Sequence, residues 1–127
     1  MSMANYLEDE ILDHIFGTAY SAPATRYIGL HTGDPGETGA SDEVSGNNYI
    51  RATENGWTTS SGGAISNSGI VTFATPSGSW GTVSHVSIWD AASGGNCLFV
   101  GSLTASKAIG SGDSVTFPIG DLDVSID

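Results

Sequence analysis

Positive charge is almost missing from this chain. Three cationic side chains, Arg26, Arg51 and Lys107, stand against 14 acidic ones, for a formal net charge of −11 over 127 residues. Counterion release, which drives non-specific nucleic-acid binding, needs clustered Lys and Arg, so no nucleic-acid partner is expected. The same shortage disfavours docking on an anionic membrane. Cysteine is nearly absent as well. Cys97 stands alone in the apolar run Cys-Leu-Phe-Val, so no disulfide can form within the chain and its thiol is expected to serve as a small buried hydrophobe. No apolar stretch approaches the roughly 20 residues of a membrane-spanning helix. The N-terminal MSMANYLEDEILDH carries acids where a signal peptide carries bases, which predicts a soluble product made in a reducing cytoplasm.

What the chain has instead is glycine, serine and threonine, with 18 glycines alone. Few residues of strong helix propensity remain, and the composition suits short strands joined by tight turns. One helix is predicted at about residues 4–16, where Leu7, Ile11, Leu12, Ile15 and Phe16 recur at helical spacing. Glu8, Asp9, Glu10 and Asp13 fall mostly on the other side, and Gly17 supplies the stop. Beyond it the helical period never returns. Strands are predicted at 26–32, 49–53, 70–73, 80–90, 97–104 and 115–120, with a last one over 121–127, and residues 91–96 form a hairpin loop. The run at 80–90 is the longest and reads as a central strand. Val115, Phe117 and Ile119 are expected to point inward, as are Leu122, Val124 and Ile126, with Asp121, Asp123 and Asp127 outward. Pro118 cannot donate a ladder hydrogen bond, so its strand lies at an edge or breaks there. Residues 33–48 hold Gly, Pro, Asp and Asn at high density and predict a long surface loop, a candidate contact arm. The expected architecture is therefore one mainly-β domain over 1–127, an antiparallel β-sandwich or jelly-roll-like barrel with a single N-terminal amphipathic helix.

Catalytic patterns are missing from the sequence. There is no Gly-x-Ser-x-Gly elbow, no phosphate-binding loop with lysine and no His-Glu-x-x-His helix. His14, His31 and His85 could form a metal site only by meeting in space, and their placement predicts a helix surface and strand faces instead. The carboxylate pairs Asp121/Asp123 and Asp42/Glu43 read as solvated charge, and no EF-hand spacing supports calcium. No cofactor and no metal are expected. Trp57, Trp80 and Trp89 are expected to supply core area, Trp57 being the one in polar surroundings. Arg26 and Arg51, beside strands in an acidic chain, are expected in ion pairs inside the subunit or across an interface.

The segments YIGLHTGDPGETG (27–39), EVSGNNYIR (43–51), FATPSGSWGTVSHVSIWDAASGGNCLFVGSLT (73–104) and SGDSVTFPIGDLDVSI (111–126) together resemble a family of small tailed-bacteriophage virion proteins, often labelled "phage tail fibre protein". The resemblance covers most of the chain and brings no catalytic residues. It implies a non-enzymatic structural protein of the virion. A compact acidic domain without a repetitive shaft suits a capsid decoration or cement protein, which binds the outer capsid surface and stabilises the head. The alternative is a tail fibre or tail-tip component contacting the host receptor. Decoration proteins of this kind imply a homo-oligomer, with a trimer favoured, bound to the major capsid protein or another virion protein. Contacts are expected from the N-terminal helix, the long loop and the strands near it, at Tyr6, Leu7, Ile11, Asp34, Glu37, Glu43, Tyr49, Arg51 and Trp57.

Overall fold

Along the chain the elements are β1 (Ser2–Met3), α1 (Asn5–Ile15), β2 (Tyr27–His31), β3 (Ala52–Thr53), β4 (Ala64–Ser66), β5 (Val71–Thr72), β6 (Gly81–Trp89), β7 (Cys97–Ile109), β8 (Thr116–Phe117) and β9 (Asp123–Ser125). They are seen in a computed structural model, which describes residues 1–126. The period-2 stretch of β6 occupies the middle of a five-stranded antiparallel sheet of order β1-β7-β6-β2-β3. Two short ribbons, β4-β9 and β5-β8, complete the strand structure.

Strand register explains which residues meet. Ile28, Ile88 and Phe99 are aligned across β2, β6 and β7, and Leu30 lies opposite Val86. Their common face is covered by Val71, Phe73, Trp80, Leu122 and Val124 to make the main core. Because side chains alternate across a strand, the opposite face presents Gly29, His31, Ser87 and Trp89. That face is the one the long loop covers.

The mainly-β, antiparallel reading with one helix holds, but a jelly-roll-like barrel does not form. Strands β1 and β3 remain the edges of the large sheet, and the ribbons are too short to close it. Strand β7 runs to Ile109 rather than 104, because Gly81–Val83 pair with Lys107–Ile109 after a register shift. Strand β8 ends at Phe117, immediately before Pro118, as the missing donor requires. Ile119 and Ile126 are exposed rather than inward, whereas Leu122 and Val124 are buried. The expectation for Asp127 lies outside the described residues.

The helix departs from its expectation in a way that matters below. Leu7 is buried and Ile11 half-buried, while Leu12, Ile15 and Phe16 are 59%, 69% and 84% exposed. At about 100° per residue, these five apolar residues span about half of the helix circumference. The sheet covers only one side of that arc. No helix among the described residues is long and apolar enough to cross a membrane.

Candidate functional site

Residues 33–48 were expected to reach outward, and they fold inward. Val44 donates its backbone N–H to Leu30 O, Thr32 N donates to Asp42 O, and Glu37 O accepts from Asn5 N at the start of α1. Pro35, Gly39 and Val44 are buried. The segment is a compact Ω-type loop lying on its own sheet rather than a free arm. Gly39 has φ +70°, and a Cβ there would come within 2.5 Å of Cys97 Sγ, so only glycine lets the loop pack so closely.

Beneath the loop lies a polar cluster. Arg51 Nε donates to Glu43 Oε1 at 2.7 Å and Nη2 donates to Oε2 at 2.9 Å, a bidentate pair. Its Nη1 donates to the carbonyls of Ala91 and Gly94 in the β6–β7 hairpin loop. The guanidinium also stacks 3.7 Å from the centre of the Trp89 ring. Tyr49 Oη donates to Glu43 Oε1 and accepts from Leu30 N. Burial pushes the Glu43 carboxyl pKa up, but the Arg51 hydrogen bonds and charge, with Tyr49, outweigh it and leave the pKa lowered. Burial raises the Tyr49 pKa well above the ordinary phenol value.

His31 adjoins this cluster and is fully buried. Its Nδ1 donates to Ser41 O, since a carbonyl can only accept, and its Nε2 therefore accepts from Ser87 Oγ. Ser87 Oγ in turn accepts from Trp89 Nε1 at 2.6 Å. The chain of donors is complete, and desolvation holds the His31 pKa below its ordinary value. A Cβ on Gly29 would stand 2.7 Å from Ser87 Oγ and 3.2 Å from Glu43 Oε1, so the cluster needs glycine beneath it.

Nothing in this arrangement is poised for turnover. The Ser87 hydroxyl is buried and committed at both ends, both His31 nitrogens are occupied, and Glu43 is neutralised by Arg51. His14 lies on the exposed helix, accepting from Tyr20 N, and His85 binds Ser84 Oγ. Among the described residues no group of three or more His, Cys, Asp or Glu is placed to hold a metal ion. Cys97 is buried, and burial raises its thiol pKa to about 12.

The expected contact residues divide by exposure. Leu7 and Arg51 are buried inside the subunit, where Arg51 makes its ion pair, and Glu43, Tyr49, Tyr6 and Ile11 are half-buried. Of these, Arg51, Glu43 and Tyr49 hydrogen-bond within the subunit and hold the loop and hairpin on the sheet. Asp34 and Glu37 are exposed, and Asp34 Oδ1 accepts from Gly36 N within its own turn. Trp57 is half-buried and donates its indole N–H to Glu54 O. It lines an apolar groove of about 640 Å³ between the sheet and the β4-β9 ribbon, with Ile65, Ile88, Leu98, Phe99 and Val124. Arg26 stands at this groove and forms no ion pair within the subunit among the described residues. The groove and the bare end of α1 were not anticipated from sequence. The breadth of the helix's apolar arc was the available signal.

A β domain whose loop and hairpin are pinned to its sheet by buried hydrogen bonds, with two open apolar surfaces and, among the described residues, no cluster placed to hold a metal ion, has the features of a structural interaction module. The comparisons with known proteins give that class its family: the model described as "Podophage GP4 fiber I protein gp80" matches residues 2–125. The chain belongs to this family of phage fibre proteins, a structural family of the virion. A search of curated proteins found no match.

Proposed function

We propose that this protein is a non-enzymatic component of a phage tail fibre, where it serves as a compact structural module. The observation that carries the reading is the family match, which spans 2–125 and so includes α1, the Ω-loop and all nine strands. The geometry agrees with it. The loop, the hairpin and the sheet are cross-braced by Arg51 and His31, as suits a part that bears load rather than one that opens and closes. Net charge of −11 gives it no affinity for packaged DNA. The capsid-decoration role expected from size and composition takes second place, because the family is one of fibres and nothing in the fold calls for a shell. Immunogold labelling of intact particles tests the assignment. Gold at the tail is the expected result, and gold distributed over the head surface would return the protein to the capsid.

A further inference from the structure

The exposed end of α1 and the apolar groove match one another in shape class and in charge. Leu12, Ile15 and Phe16 form a knob that the sheet does not cover, bordered by Glu8, Asp9 and Asp13. The helix cannot fold its own end away, because its start is fixed by Asn5 N donating to Glu37 O and Ala4 N donating to Leu98 O. Tyr20 N holds its far end through His14 Nδ1. The groove is walled by Trp57, Ile65, Leu98 and Phe99 and carries Arg26. Arg26 Nη1 reaches Pro23 O, while its Nε is buried without a hydrogen-bond partner among the described residues. With one side-chain hydrogen bond made among the described residues, the half-buried guanidinium keeps donors at the edge of the apolar trough for an acceptor brought in from outside.

We propose that a second copy of this chain fills the groove, seating the Leu12, Ile15 and Phe16 knob of its helix against the trough with Asp13 facing Arg26. Charge favours this occupant: Arg51 is consumed by Glu43 and Lys107 lies at a separate groove along β7, so Arg26 is the cation at this trough, and the knob is an apolar surface flanked by acid. The two patches differ, so the contact closes either as a reciprocal pair or as a head-to-tail ring. This self-association goes beyond the fibre assignment and does not depend on it.

Light scattering on the purified full chain at micromolar concentration tests it, with folding checked by melting. The unmodified chain is expected to show the mass of an oligomer. Phe16→Ser, at an 84% exposed position, is expected to leave the fold intact and give the monomer mass. Arg26→Glu is expected to weaken association by roughly tenfold, and adding Asp13→Lys in the same chain is expected to restore it. A monomeric parent chain would overturn the proposal, as would an oligomer whose mass Phe16→Ser leaves unchanged. Neither result bears on whether the protein sits at the tail or the head.

Discussion

Arg51 does the work of several side chains at once. It neutralises Glu43, holds two hairpin carbonyls and covers Trp89. Removing one partner of a buried pair costs about 3–5 kcal/mol, and the Glu43 side chain keeps 23% of its exposure, which favours the lower end. Arg51→Ala is therefore expected to lower the melting temperature by roughly 10 °C. Arg51→Lys should recover less than half of that loss, because an ammonium cannot make the bidentate pair or the stack. The neighbouring acid–base groups set the pH response. His31 has a folded-state pKa below its ordinary 6.5, so the unfolded chain takes up the proton first, and stability is full above about 6.5 and declines below it. Glu43 is lowered from 4.5, so a second decline begins below that value and runs through its folded pKa. Melting followed from pH 7 to 4 should fall in both ranges, and His31→Gln should flatten the upper one. A melting temperature that stays level between pH 6.5 and 5 in the parent would contradict this account.

At the scale of elements, the strands with strong alternation were legible. Residues 80–90 and 26–32 reveal themselves because burial on a sheet face imposes a period of two, and the observed bounds of β6 and β2 differ from the reading by one residue at each end. Strand β4 was not legible, since Ala64-Ile65-Ser66 lies among serines and glycines and exists only because it pairs with β9. The inward fold of residues 33–48 was equally hidden: turn residues announce a loop, but the bonds that pin it, Val44 N to Leu30 O and Asn5 N to Glu37 O, join residues well separated in sequence. An ion pair for Arg51 was legible from its scarcity among acids, but nothing local reveals that Glu43, read with Asp42 as solvated charge, is its partner. Asn67 shows the same long-range logic. It is fully buried, donating to Gly69 O and Pro118 O and accepting from Leu122 N, so it ties the β4–β5 connection to the β8–β9 connection. Asn67→Ala leaves these groups unpaired at a cost of about 1–3 kcal/mol. The amide of Leu122 is then expected to exchange its hydrogen faster than in the parent by hydrogen-exchange mass spectrometry, and unchanged exchange there would show that the clamp is not holding the ribbons.

For the whole molecule, the account joins a braced core to two open apolar surfaces. Bracing keeps the loop and hairpin fixed on the sheet, and the open surfaces are where a single domain of this size can be built into something larger. A fibre part gains from both properties, because it must hold its shape under load while joined to other copies or other parts. The most direct test of the central claim separates particles into heads and tails and counts this protein in each fraction by quantitative mass spectrometry. The account predicts recovery with the tails, in a copy number set by the symmetry of the tail. Recovery with the heads, in numbers that track the subunits of the shell, would contradict it.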